Sequence, residues 1–328
     1  MSRVWKGFVL PISDRPLIAL SSCLAGEKVR YDSAHKRDRW LMNEFSEYVD
    51  YANFCPEVGI GLTIPRTPIR LVHKDNDVRV LDVRDPSIDV TDRLRNFAFD
   101  TVPKLEGMSG YVFKSKSPSC GLFKVKAYME NGHPSDTPVP GAYAEVLAQE
   151  LPDLPMEEEG RLCDDMLREN FVNRVFVYHR LLKLKDEGLS AKAIVEFHSR
   201  HKYMIMAHSQ VAYQSLGQKV ANLKDIDLDV FYLEYRRELM AALTQRVKRR
   251  QHVNVMQHLT GYLKKAVDAD DKKEILEALD DYKRGDVPLV VPMKLLSHYF
   301  RCHPDPYIGE QFYLNPYPSS LKLRNNVW

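Results

Sequence analysis

Three apolar runs that lead into cysteines constrain the fold of the first half of this chain most strongly. The runs 16–22, 48–54 and 110–113 predict β-strands, of which the first and the third are expected in the core, and they lead directly or through a short loop to Cys23, Cys55 and Cys120. A further strand is predicted over 78–83, and helical spacing occupies 37–48 and 87–104, the latter with Ser87 as its expected cap. This alternation predicts an α/β N-terminal domain with a mostly parallel sheet and the cysteines at the carboxyl ends of its strands.

The second half of the chain has a different periodicity. Residues 151–160 are rich in proline and acidic residues, which predicts a domain boundary there. Beyond it, apolar residues recur at three- and four-residue steps, which predicts helices over 164–187, from Ser190 onward, over 227–248 and over 272–283. The expected organisation is an α/β domain over 1–155 and an all-α C-terminal domain over 161–328, with an irregular tail from 302.

Composition limits where such a chain is expected to work. Of its 328 residues, 44% are hydrophobic and 28% are charged, and no apolar run approaches the ~18–20 residues that a membrane span requires. Residues 1–11 lack the apolar core of a signal peptide, so a cytoplasmic protein without a membrane partner is expected. Five scattered cysteines are an odd number, which disfavours a disulfide framework.

The charge is distributed unevenly along the chain. Residues 1–160 carry 20 Lys and Arg against 24 Asp and Glu, whereas residues 161–328 carry 27 against 21. A basic second half indicates either a polyanionic partner or an ordinary solvated basic face.

The three cysteines have two interpretations from spacing alone. They are either metal ligands that converge at one edge of the sheet, or three small core residues, since cysteine is often buried. Zinc is usually bound by C-x-x-C pairs, which are absent, whereas a [4Fe–4S] cluster with three protein ligands leaves one iron open to substrate. Glu57, two residues beyond Cys55, is either a general base for water or a solvated loop carboxylate.

Three motifs in the first half are specific in combination. They read SCLxGxxVRYD over 22–32, FCPEVxxG over 54–61 followed by Pro65-Arg66, and KSPSCG over 116–121. In this order, over about residues 15–155, they resemble the thiouracil desulfidase family (TudS). One departure is Asp32-Ser33-Ala34, which stands where the family commonly has a glycine-rich turn.

The resemblance implies the chemistry of the first domain. It implies an oxygen-sensitive [4Fe–4S] cluster on Cys23, Cys55 and Cys120 and a reaction without electron transfer. A thiolated pyrimidine would bind the open iron through its sulfur, water activated by Glu57 would attack the carbon, and sulfide would leave. By the same resemblance Ser117 is the first candidate to hydrogen-bond substrate or cluster, and Ser119 is the second.

The helical half carries a second resemblance. Residues 197–217 and the tail 313–318 are similar to the YbgA-type helical domain, over about 165–325. Fusion with a desulfidase domain resembles the two-domain tRNA desulfidases (RudS), which remove sulfur from 4-thiouridine, and this implies tRNA as the partner. Basic and aromatic side chains suit RNA, and the expected RNA contacts are Arg200, His201, Lys202, Lys248, Arg249 and Arg250.

Several alternatives remain open at this level. The histidines at 198, 201 and 208 are interpreted as structural rather than metal-binding, since no cysteine or carboxylate completes a ligand set. Cys163 and Cys302 are interpreted as structural. The domain pair is also compatible with a desulfidase of free thiouracil whose helical domain serves oligomerisation or regulation, or with a cluster-bearing sensor or RNA-binding protein without turnover.

Overall fold

A computed structural model describes residues 13–224 and 226–325 of the chain, so the segment 1–11, for which no signal peptide is predicted, lies outside the described residues. Strands and helices alternate up to residue 158, and the rest is helical. The strands are β1 (Leu17–Ser21), β2 (Asp50–Phe54), β3 (Ile69–Lys74), β4 (Asp77–Asp82), β5 (Gly110–Phe113), β6 (Ala127–Met129) and β7 (Met156–Glu158). The helices of the first half are α1 (Ser22–Ala25), α2 (Arg39–Asn43), α3 (Pro56–Gly59), α4 (Thr91–Thr101) and α5 (Ala142–Glu150). The helices of the second half are α6 (Asp165–Asp186), α7 (Ala191–His208), α8 (Gln210–Ala221), α9 (Leu228–Leu243), α10 (Arg249–Leu263), α11 (Ala269–Arg284), α12 (Val290–Cys302) and α13 (Pro306–Gly309).

Two sheets form the first half. The larger has the order β2-β1-β5-β7, and all of its pairs are parallel. Its inner strands β1 and β5 are almost wholly buried, as expected for parallel strands covered on both faces. The smaller sheet has the order β4-β3-β6, with an antiparallel β3–β4 hairpin that turns at Asp75 and Asn76, both at positive φ, and a parallel β3–β6 pair. The predicted α/β domain followed by an all-α domain is therefore confirmed.

Two predicted helix boundaries are wrong. Ser87 does not cap α4, because its hydroxyl donates to Asp85 at 2.6 Å, and the helix begins at Thr91, whose backbone N–H donates to Asp89. The helix predicted over 227–248 ends at Leu243, and a new helix, α10, begins at Arg249.

The acidic segment 151–160, predicted as a domain boundary, contributes a strand to the larger sheet. Its residues Met156–Glu158 form β7 and pair with β5, and its last two glutamates hold the loop that carries Cys120. Glu158 accepts the backbone N–H of Leu122 at 2.8 Å, and Glu159 accepts the backbone N–H of Ser115 at 2.7 Å. Both ends of the cysteine loop are thus fixed by carboxylates from the segment predicted as a boundary.

The two halves share their hydrophobic core. Phe171 and Val175 of α6 pack in one buried cluster with Ile18 and Val112 of the larger sheet. A further cluster joins other sheet residues to the helical bundle, and Arg236 of α9 pairs with Asp153 at 3.2 Å. Within the described residues, no helix combines the length and apolar character needed to cross a membrane.

Candidate functional site

The three predicted cysteines come together at the carboxyl edge of the larger sheet. Cys23 lies in α1 directly after β1, Cys55 follows β2, and Cys120 follows β5 through the loop 114–119. All three are free thiols that line one cavity of about 130 Å³, where Cys23 and Cys120 are buried and Cys55 is half-buried. The fold therefore produces the convergence that strand order at a parallel sheet predicts.

Close backbone packing fixes the loop that carries Cys120. The Gly121 N–H donates to the carbonyl of Ser117 at 2.8 Å, and a Cβ on Gly121 would lie 2.2 Å from Val125. A Cβ on Gly141, just before α5, would lie 2.6 Å from the carbonyl oxygen of Ser119. Only glycine fits these two positions, and the position of the Cys120 thiol follows from them.

Burial keeps the thiols protonated in the absence of a cation. It raises the pKa of Cys23 to about 11, and it also raises the pKa values of Cys55 and Cys120. Charge on one thiolate raises the pKa of its neighbours further, while the cations of Lys114 and Arg30 lower the pKa of Cys23. Three thiolates in this cavity therefore require a positively charged group between them.

The donor set fits a cluster better than a single ion. Among residues 13–224 and 226–325, no group of three or more His, Cys, Asp or Glu side chains is close enough to hold one metal ion. A single tetrahedral zinc needs its ligands to converge on one point. A [4Fe–4S] cluster takes one thiolate on each of several irons, so thiols around a shared cavity suit it.

Glu57 is held at both carboxylate oxygens. Its Oε2 accepts from Nε and Nη2 of Arg66 at 3.0 and 2.7 Å, and its Oε1 accepts from the hydroxyl of Ser119 at 2.7 Å. Arg66 is itself fixed, because it also donates to the carbonyl oxygen of Val29 at 2.8 Å. The carboxylate is an oriented group in the cavity wall, not a solvated loop residue.

The two candidate serines have different positions. Ser117 lines the cavity, and its Oγ accepts the backbone N–H groups of Ser119 and Cys120 at 3.3 and 3.1 Å. Ser119 is completely buried, and its oxygen lies 3.0 Å from that of Ser117. A ligand in the cavity is thus within reach of Ser117, whereas Ser119 acts on Glu57.

The sequence contains two features of the site whose structural roles it does not predict. Arg66 belongs to the second motif, but it stands nine residues beyond Glu57, a spacing with no helical or strand periodicity, so its ion pair with Glu57 depends on the fold. Ser33 adopts φ 57°, the left-handed conformation that glycine favours. The turn expected to need glycine therefore keeps a left-handed backbone, and Asp32 stabilises it by accepting the Ala34 N–H at 3.1 Å.

The expected RNA contacts in α7 are only partly at the surface. His201 is completely buried, and its ring stacks on Phe197 with 4.0 Å between ring centroids, so the prediction that it contacts RNA is wrong. Arg200 is exposed but pairs with Glu310 at 3.3 Å. Lys202 is half-buried, with its Nζ 5.6–6.0 Å from three tyrosine ring centroids.

The other basic run lies at the start of α10. Lys248 and Arg250 are exposed, Arg249 is half-buried, and none of the three has an ion pair within the described part of the chain. Contact between this run and RNA stays a prediction.

The remaining histidines of α7 have internal partners. His198 Nδ1 lies 3.0 Å from the Tyr235 hydroxyl, and His208 Nδ1 lies 2.7 Å from the carbonyl oxygen of Gln245. Burial lowers the pKa of both to about 4, so both are neutral at physiological pH. Cys163 and Cys302, by contrast, are exposed and lie outside the cavity.

Comparison with known proteins finds a different family in each half of the chain. Residues 18–159 match the 2-thiouracil desulfurase family, and residues 202–318 match a family described as a protein of unknown function, DUF1722. The uncharacterized protein YbgA of Escherichia coli (strain K12) is 34% identical over 154 residues, which are 47% of this chain and 91% of YbgA. The solved structure of the [4Fe-4S]-dependent thiouracil desulfidase TudS is 27% identical and aligns with 46% of this chain and 95% of its own, with a TM-score of 0.37.

These matches define a two-domain protein in which a desulfurase-type α/β domain precedes a helical domain. The chain belongs to the family of YbgA, with a TudS-like domain fused to the YbgA-like one. This assignment rests on the family matches and on the identity with YbgA, and not on the structural superposition.

Proposed function

We propose that this protein is a desulfidase that replaces the sulfur of a thiolated pyrimidine by oxygen, with 4-thiouridine in tRNA as its substrate and a [4Fe–4S] cluster on Cys23, Cys55 and Cys120. The observation that carries the proposal is the position of Glu57, oriented by Arg66 and Ser119, in the wall of the cavity that the three thiols line. The reaction converts a thiocarbonyl and water into a carbonyl and hydrogen sulfide. It transfers no electrons and needs no other reactant.

The residues of the cavity have separate roles in this reaction. When bound by the three thiols, the cluster supplies an open, thiophilic iron that acts as a Lewis acid toward the substrate sulfur. Glu57 takes a proton from the attacking water through Oε1, which accepts only from Ser119 and therefore keeps a free lone pair, whereas Oε2 accepts two hydrogen bonds from Arg66. Arg66 and Ser119 hold the carboxylate so that little reorientation precedes the proton transfer.

The wall of the cavity also offers groups that suit a pyrimidine. Ser117 presents a hydroxyl, and Tyr31, which is 40% exposed, presents an aromatic face at the rim. Nucleobases outside a duplex are commonly stacked on aromatic side chains and hydrogen-bonded at their edges. A thiolated base in tRNA must leave its stack to enter such a cavity, and the rim position of Tyr31 suits its capture.

The test of the cofactor compares the three cysteines of the cavity with the two exposed cysteines. After anaerobic reconstitution with iron and sulfide, the wild type should hold about four irons per chain. Cys23→Ser, Cys55→Ser and Cys120→Ser should lose the cluster, while Cys163→Ser and Cys302→Ser should keep it. Equal iron content in both sets would contradict the assignment of ligands.

The reaction is tested with cluster-loaded protein on two substrates. Wild type should release sulfide from 4-thiouridine in tRNA and leave uridine, identified by mass spectrometry, whereas Glu57→Gln should retain the cluster and lose turnover. Turnover of free thiouracil alone would support the alternative, which the description of the matching family favours. An intact cluster without turnover of either substrate would support the sensor interpretation.

A further inference from the structure

A second depression, of about 460 Å³, opens beside the cysteine cavity on the smaller sheet. Four basic side chains line it, and no carboxylate does. Two of these basic residues, Lys124 and Lys126, are exposed and flank the buried Val125. A third, Arg70, lies in β3. The fourth is Lys116, in the loop that carries the candidate serines. We call this depression the basic groove.

The charges of the basic groove are not neutralised internally. Within the described residues, none of Arg70, Lys116, Lys124 and Lys126 forms a salt bridge or a side-chain hydrogen bond. The guanidinium of Arg70 and the Nζ of Lys126 instead lie 5.2 and 5.1 Å from the centroid of the Tyr128 ring. Four unpaired cations in a half of the chain that is net negative indicate a site for an anionic ligand.

The basic groove adjoins the cysteine cavity. Lys116 and Pro118 line both depressions, and Ser117 lies between them in the same loop. Lys116 adopts φ 58°, a conformation uncommon for a residue with a side chain, at the point where the two depressions meet. A polynucleotide strand bound along the groove would therefore lie next to the cavity wall that Ser117 lines.

We propose that the basic groove binds the sugar–phosphate backbone of the RNA strand next to the thiolated nucleotide, so that the desulfidase domain itself holds the polynucleotide. This inference rests on the proposed function and deepens it. Lysine and arginine neutralise phosphates without reading sequence, and the ring of Tyr128 keeps two of the cations at the groove. A free base has no phosphate, so its turnover should not depend on the groove.

The test is a double charge removal, Lys124→Gln/Lys126→Gln, with Lys264→Gln/Lys265→Gln as the control pair. The control lysines are also adjacent and exposed, but they follow α10 and line neither depression. The groove variant should lower kcat/KM on 4-thiouridine tRNA by on the order of tenfold and make its salt dependence shallower by about two in logarithmic slope. Its turnover of free 4-thiouracil should equal that of the wild type, which also shows that the variant is folded.

A binding measurement separates this inference from the proposed function. Fluorescence anisotropy with unmodified tRNA requires no turnover, so it reports on the groove even if the protein proves not to be a desulfidase. Weaker binding by the groove variant, at a salt concentration where the control pair binds like wild type, would support the inference. Equal binding by both pairs, or no binding of tRNA by the wild type, would overturn it.

Discussion

Removal of the hydroxyl of Ser119 tests the mechanism with a small perturbation. Ser119→Ala deletes one oxygen from a completely buried side chain and removes the 2.7 Å hydrogen bond to Oε1 of Glu57. The ion pair between Arg66 and Oε2 remains, so the carboxylate keeps its charge partner but loses one of its two fixed oxygens. A hydrogen bond to a charged group contributes about 1.5–3 kcal/mol, which corresponds to a decrease in kcat of about tenfold to a hundredfold.

The assay compares kcat of the cluster-loaded variant and wild type on one substrate, with iron content measured in parallel. Ser115→Ala is the matched control, because Ser115 lies in the same loop and lines the same cavity, but its hydroxyl donates to Glu159 at 2.8 Å. We expect the control to retain most of its kcat and both variants to retain the cluster. A Ser119→Ala enzyme with full iron content and kcat within twofold of wild type would refute the positioning of Glu57 by Ser119.

Three further predictions concern stability. Arg66→Met should lower the free energy of unfolding by about 3 kcal/mol, measured by urea denaturation, because it leaves Glu57 without its partner in a mostly buried pair; an unchanged midpoint would contradict this. Burial lowers the pKa of His179 and His208 to about 4 from an ordinary 6.5, so the unfolded state binds more protons between these values. The contribution of these two histidines to the free energy of unfolding should be fully present above pH 6.5 and should decrease between pH 6.5 and pH 4, by up to about 1.4 kcal/mol per pH unit for each histidine. Equal urea midpoints at pH 7 and pH 5 would contradict this. Phe171→Ala should cost about 3–5 kcal/mol and shift one common thermal transition of both domains, because the side chain lies in their shared core; two separate transitions would refute the shared core.

The sequence predicts the parts of the fold that local pattern determines. β1 and β5 are short apolar runs, β2 is a shorter mixed run of aromatic and polar residues, and all three lead toward cysteines whose positions a parallel sheet brings to one edge. Helix N-termini that have a side-chain cap can also be predicted from the sequence. The side chains of Asp164, Ser190 and Asp227 each accept a backbone N–H in the first turn of the predicted helix.

Features that depend on contacts with residues far along the chain cannot be predicted from local sequence pattern. β7 is hidden because Glu157 and Glu158 look like solvated acids, yet Arg161 and the backbone N–H of Leu122 satisfy their carboxylates in a buried position. His201 sits in a polar stretch that suggests a surface, but Phe197 and Phe312 enclose its ring. In both cases the tertiary environment reverses the preference that residue type indicates.

The shared core changes how the helical domain can contribute to function. α6 covers one face of the sheet whose edge carries the three cysteines, and Glu158 and Glu159, at the end of β7 and directly after it, supply the carboxylates that hold the Cys120 loop. A flexible tether would let a helical domain bring RNA to a separate catalytic unit, but a common core fixes the two domains against each other. RNA bound at the start of α10 must then reach the cavity along a fixed surface. The basic groove provides unpaired cations beside the cavity, so contacts there with the RNA backbone would position the target nucleotide without any movement between the domains.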